Sequence, residues 1–188
     1  IARGLQWAAD NGADVANISY GVSNSATVAN AAQYMRSKNG LVVVAAGNDG
    51  IDTAYADNPY MITVSATDSS DAKASWSNYG AFIDVAAPGV SILTTSRGGS
   101  YGNWSGTSFA SPVTAGVVAE IMGANPSLSP DQVERILKDS ADKVAGAEGV
   151  DEPEHPGVLG DDVVGPPAQD VVLDRRDQSP ERLLPGGR

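Results

Sequence analysis

The chain has 188 residues, a formal net charge of −11, 41% hydrophobic residues and no cysteine. That length is enough for one domain with a real core, while the acidic balance argues against nucleic acid, whose phosphates call for clustered Lys and Arg. Without thiols there is no disulfide framework and no thiolate metal site, and no apolar run approaches the ~20 residues needed to cross a bilayer.

Ile1 to Asn11 reads as a helix, with apolar residues at 1, 5 and 8 and Gly12 behind it. It opens without Met or a signal peptide, as the carboxyl-terminal piece of a longer domain would. Val15 to Ser19 follows as a strand, Thr27 to Lys38 as a helix ended by Gly40, and Leu41 to Ala46 as a second strand. That second run is continuously apolar, fit for a parallel strand covered on both faces, and it stops at Gly47-Asn48-Asp49-Gly50. Met61 to Ala66 makes a third strand before a turn at Asp68 to Asp71. Ile83 to Ala86 and Ser91 to Thr95 are strands on either side of Pro88-Gly89, and Arg97-Gly98-Gly99-Ser100 reads as a hairpin turn.

Val113 to Ala124 carries one charge, Glu120, and is expected to be a helix buried nearly all round. Pro112 would clash with the carbonyl four residues earlier, so regular helix is not expected before Ser108. Ser129-Pro130-Asp131-Gln132 opens a last helix to about Ala141, with proline at its first position and an acid in its first turn. Strand, helix and strand in alternation, with buried strands, mean an α/β fold with a parallel sheet and right-handed crossovers. Residues 148–188 differ: they hold ten acidic and four basic residues and six of the eleven prolines, and they follow neither helix nor strand period. They are expected to be a disordered tail or linker.

Two segments carry chemistry. Gly106-Thr107-Ser108-Phe109-Ala110-Ser111-Pro112 sets Ser108 at the mouth of an apolar helix, at the positive end of its dipole; the bland reading is a helix N-cap. Asn48 follows a buried strand at its carboxyl end, outside which ligands of open α/β sheets bind; the bland reading there is an Asx turn.

Together these segments resemble the subtilisin-like serine peptidases, the subtilases. The likeness runs from about Ile1 to Val144 and includes Ala13 to Gly21, Val43 to Asn48, Trp76-Ser77-Asn78-Tyr79-Gly80 and Asp84 to Val90. It implies a three-layer, mostly parallel sheet with helices on both faces, truncated at the amino end, with residues 1–147 as the carboxyl-terminal part of the catalytic domain. It also implies that Ser108 is the acylating nucleophile and that the Asn48 amide and the Ser108 N–H stabilise the oxyanion. Ser19-Tyr20-Gly21 and Ala45-Ala46-Gly47 would then be walls along an extended substrate, which a strand edge reads through its backbone. The partners implied are protein or peptide substrates and the upstream part of the same catalytic domain, not nucleic acid or a membrane, and the setting implied is secreted or extracellular.

A serine hydroxyl needs an imidazole to take its proton and a carboxylate to orient that imidazole. The only histidine, His155, lies in the Pro-broken stretch Asp151 to Pro156, no place for a preorganised base. The family order is Asp, His, Ser, so both missing members are expected upstream of Ile1 and the isolated chain is expected to be nearly inert. The reading from another class is a non-catalytic subtilase-like binding or scaffold module.

Three positions depart from the family's pattern. Tyr55 stands where many relatives have proline, beside the specificity pocket, and Val113 where relatives often have a structural histidine. Asp84 falls where some relatives hold a weak cation, but one carboxylate is far from the 6 to 8 oxygens calcium takes. No cofactor is expected; a structural calcium is possible for the family and unsupported by this chain. A pocket of Ala, Gly and backbone without a fixed charge favours apolar residues before the cleaved bond and broad selectivity.

Overall fold

The computed structural model describes residues 1–142; the acidic segment 148–188 and His155 lie outside the described residues. The elements are α1 (Ala2–Asp10), β1 (Val15–Ile18), α2 (Ala26–Ser37), β2 (Leu41–Ala45), β3 (Ile62–Thr67), β4 (Val85–Pro88), β5 (Ile92–Ser96), β6 (Ser100–Trp104), α3 (Thr107–Ala124) and α4 (Pro130–Ser140). Strands β1 to β4 lie in sequence order in one parallel sheet, with Val15 opposite Leu41, Val43 opposite Ile62 and Val64 opposite Val85.

Successive side chains of a strand point to opposite faces, so the apolar run of β2 divides. Val42 and Val44 pack with Leu5 of α1 and with Val28, Ala32 and Met35 of α2. Leu41 and Val43 pack with Ala110 and Val118 of α3 and with Val133 and Leu137 of α4. Helices therefore cover both faces of the sheet, giving the three-layer α/β arrangement, and every residue of β2 is buried. The opening of α4 is a complete capping box: Gln132 N–H donates to Ser129 Oγ at 3.3 Å, and Ser129 N–H donates to Gln132 Oε1 at 2.9 Å.

Two expectations are corrected and one is met. The fourth strand sits two residues later than the apolar pattern indicated, at Val85–Pro88, because it is the edge of the sheet and can hold a proline that has no N–H to offer. The hairpin turn expected at Arg97 to Ser100 is present, joining β5 to the antiparallel β6, Ser100–Trp104, and its reversal uses Gly98 and Gly99 with φ of 91° and 80°. Helix α3 begins at Thr107, one residue earlier than Pro112 suggested, and is buried on one face only. Thr107, Ala110, Ser111, Thr114 and Val118 face inward, whereas Val113 and Val117 are exposed. Composition counted apolar residues around the whole helix; among the described residues, sheet and α4 cover only one side.

At the amino ends of β3 and β4, the side chain of Asp84 is 4% exposed and both its oxygens are engaged: Lys138 Nζ of α4 is 2.6 Å from Oδ1, and Thr63 N–H donates to Oδ2 at 2.6 Å. Lys138 also meets Glu134 at 3.0 Å, and Glu134 and Asp131 meet Arg36 of α2 at 2.8 and 2.6 Å. A divalent ion would have to displace an ammonium and a backbone donor from Asp84, so this carboxylate does not fit the role of metal ligand. Among the described residues no three His, Cys, Asp or Glu side chains gather as one.

Burial pushes the Asp84 carboxyl up to about 6, against the pull of Lys138 and Thr63 N–H and with help from the charge of Asp57. A carboxyl whose folded value lies above its unfolded value contributes stability that is complete below the unfolded value and is lost as pH rises through the folded one. Asp84→Asn removes that response. The melting temperature of the variant relative to the parent is expected to climb from pH 4 to pH 7, whereas a constant difference across that range would exclude the raised value.

Candidate active site

Parallel strands end on the same side, so β1 and β2 deliver Ser19 and Asn48 to one edge of the sheet. Helix α3 enters that edge by its amino terminus, and Thr107, 1% exposed, is the joint. Thr107 Oγ1 accepts from Gly47 N–H at 3.1 Å and donates to Asn48 Oδ1 at 3.0 Å. The Thr107 backbone N–H donates to the same Asn48 oxygen at 2.9 Å. Since a backbone N–H can only donate, the amide of Asn48 must present its oxygen there, and its Nδ2 is left for another acceptor.

Gly106 measures the space between nucleophile and amide. A Cβ built on it would stand 2.9 Å from Ser108 Oγ and 3.7 Å from Asn48 Nδ2. Hydroxyl and amide donor thus border one volume, no wider than those two lengths laid end to end, and a residue with a side chain at 106 would fill it. Ser108 lies in the first turn of α3, where backbone N–H groups have no acceptor within the helix and the dipole is positive. An oxygen bearing developing negative charge would find the Asn48 amide and the Ser108 N–H as donors there.

The loop that carries Asn48 is braced from below by Asn78, which is 3% exposed. Its Oδ1 accepts from Asp49 N–H at 2.9 Å, its Nδ2 donates to Ala46 O at 3.1 Å, and its backbone N–H donates to Gly47 O at 3.0 Å. Thr107 and Asn78 both lie inside segments that the sequence singled out, yet neither stood out, because each works through partners far away in the chain.

The expected substrate walls differ in what they can offer. Ala45 and Ala46 are buried, and the N–H groups of Ala46 and Gly47 already donate to Val64 O and Thr107 Oγ1. Residues 46 and 47 can therefore present a surface but no N–H. Ser19 Oγ turns inward and donates to Ser108 O at 2.8 Å. Tyr20 is 69% exposed, and residues 19–21 follow the end of β1, an outer strand of the described sheet. A pocket of about 220 Å³ opens beside this segment between Ile1, Leu5, Asn17, Ile18, Ser19 and Tyr20. Neither Ser108 nor Asn48 lines it. In the segment between β2 and β3, Tyr55 packs edge-on against Phe82, with ring centroids 5.5 Å apart.

Residues 1–157 match the Subtilase family. The chain belongs to the subtilases. Subtilisin BL of Lederbergia lenta is 42% identical over 144 residues, which is 75% of this chain and 54% of that protein. The extracellular protease of Xanthomonas campestris pv. campestris is 45% identical over 170 residues, covering 78% of this chain and 29% of its own length. Among solved structures, a cold-adapted subtilisin-like serine proteinase superposes with a TM-score of 0.71 at 36% identity, over 79% of this chain and 57% of that one. The chain thus spans little more than half, or less, of the relatives it matches, and its fold is that of the subtilisin-like proteinases.

Thr107→Val keeps the shape and the backbone N–H of residue 107 but removes the hydroxyl that holds Gly47 N–H. A net hydrogen bond of about 1 kcal/mol corresponds to roughly a fivefold rise in amide exchange at Gly47, with β2 itself unaffected. Unchanged exchange at Gly47 would mean that the hydroxyl does not fasten the loop.

Proposed function

We propose that this chain supplies the nucleophile and the oxyanion site of a secreted serine endopeptidase. The observation that carries the reading is the Asn48 amide, whose oxygen is fixed by Thr107 so that its donor end borders the same space as the Ser108 hydroxyl. In the reaction, Ser108 Oγ bonds to the carbonyl carbon of the scissile peptide and passes its proton to an imidazole. Asn48 Nδ2 and the Ser108 N–H hold the resulting oxyanion. Collapse expels the amine, which takes that proton, and leaves an acyl-enzyme that water hydrolyses.

The family order along the chain is Asp, His, Ser, and the sole histidine, His155, follows Ser108, so the imidazole and its orienting carboxylate are assigned to a part of the catalytic domain that precedes residue 1. The segment at residues 19–21 would hold substrate backbone, and a small apolar wall at 45–47 suits apolar side chains before the cleaved bond. Protein and peptide substrates follow from the family, as does secretion, which the extracellular relative supports.

In the full-length protein, Ser108→Ala is expected to abolish peptide hydrolysis and labelling by a fluorophosphonate; a label that persists would refute the assignment. Asn48→Leu is expected to lower kcat ~100 to 1,000-fold at nearly constant KM, a magnitude carried over from subtilisin itself. A rise confined to KM would make Asn48 a substrate-binding residue instead.

A further inference from the structure

Pro112 lies inside α3, four residues after Ser108. In a regular helix the N–H of residue 112 would donate to the carbonyl of residue 108, and proline has none. The carbonyl of the proposed nucleophile residue is therefore deprived of its helical partner, and it is Ser19 Oγ, at the end of β1, that donates to it at 2.8 Å.

Ser19 has one hydroxyl proton, and the Ser108 carbonyl can only accept, so that proton is committed. Whatever else bonds Ser19 Oγ must donate to it. Asn17 does so through Nδ2 at 3.0 Å, which in turn fixes the oxygen of the Asn17 amide toward α3. There Ser111 Oγ, in a residue 0% exposed, donates to Asn17 Oδ1 at 2.6 Å. Only one arrangement of protons satisfies all three bonds: Ser111 to Asn17, Asn17 to Ser19, Ser19 to the Ser108 carbonyl. The chain leaves α3 one turn after the nucleophile, passes through β1 and returns to α3 at the nucleophile itself.

We propose that Asn17 and Ser111 are positioning residues which, through Ser19, fix the first turn of α3 against the substrate-bearing end of β1. The proposal deepens the proposed function and rests on Ser108 being the nucleophile. Neither side chain touches the reacting atoms. Their effect is geometric: the strand that would hold the peptide and the turn that would attack it are locked at one separation. Each donor in a one-directional chain also polarises the next, so loss of any link loosens the last. A displacement of ~1 Å between reacting groups can cost on the order of 100-fold in rate, whereas substrate would still pair with residues 19–21.

The test uses the full-length protein with Ser111→Ala, Ser111→Thr, Asn17→Ala and the double variant Asn17→Ala/Ser111→Ala. Steady-state kinetics and the rate of fluorophosphonate labelling at Ser108 are read together. Each alanine variant is expected to lower kcat about tenfold or more, with KM changed less than about twofold. The double variant is expected to be no slower than the slower single, since links of one chain are not additive. Ser111→Thr, which keeps the hydroxyl, is expected to retain parental kcat. If Asn17→Ala does not fold, the Ser111 pair, differing by one hydroxyl and one methyl, carries the test. Parental kcat and labelling in Ser111→Ala, fully additive losses, or a change confined to KM would each overturn the proposal. Labelling that survives Ser108→Ala would instead overturn the nucleophile assignment on which it rests.

Discussion

The arrangement of the site depends on Thr107, which joins the loop after β2 to the first turn of α3. Its hydroxyl takes the Gly47 N–H and gives its proton to Asn48, while its own N–H reaches the same Asn48 oxygen. Each bond contributes only about 1 kcal/mol net. Orientation, however, is not graded: once a backbone donor faces the amide, its oxygen end is fixed, and so is the direction of its nitrogen. In the proposed reaction, the donor that Asn48 turns toward the oxyanion follows from that constraint.

The sheet makes the joint possible because its strands are parallel and their carboxyl ends share one edge. Val42 to Ala45 are buried on both sides, so β2 cannot tilt without disturbing both packed layers. The chain's linked ion pairs lie elsewhere, at the amino ends of β3 and β4, where Asp84 is tied to α4 by Lys138 and α4 is tied to α2 by Arg36. Fastening of the layers, at β3 and β4, and assembly of the cleft, at β1 and β2, are thus placed at opposite ends of the same parallel sheet. A titration at Asp84 acts on how the layers hold together and reaches the cleft only through the strands.

Pro112 shows how a residue that weakens a helix can serve the element beside it. It removes one bond from the first turns of α3 and frees the Ser108 carbonyl for a partner on another element. Ser19 is that partner. Its hydroxyl therefore acts within the fold, and what the 19–21 segment offers outward is the exposed ring of Tyr20.

Taken alone, the sequence determined the class of fold and offered Ser108 and Asn48 as candidate site residues. Ser108 before an apolar helix, Asn48 after an apolar strand and the helix start at Ser129-Pro130 are local patterns, because a helix start or a strand end is decided within a few neighbouring residues. Alternating strand and helix periods likewise made the parallel sheet legible. Tertiary structure alone decided the links at a distance: Thr107 to Asn48 across 59 positions, Ser19 to Ser108 across 89, Ser111 to Asn17 across 94. It also decided which face of α3 is covered and how far β4 could slide along the sheet edge. Periodicity describes how one segment sits against an average neighbour; a hydrogen bond between segments exists only once packing has brought a particular donor to a particular acceptor.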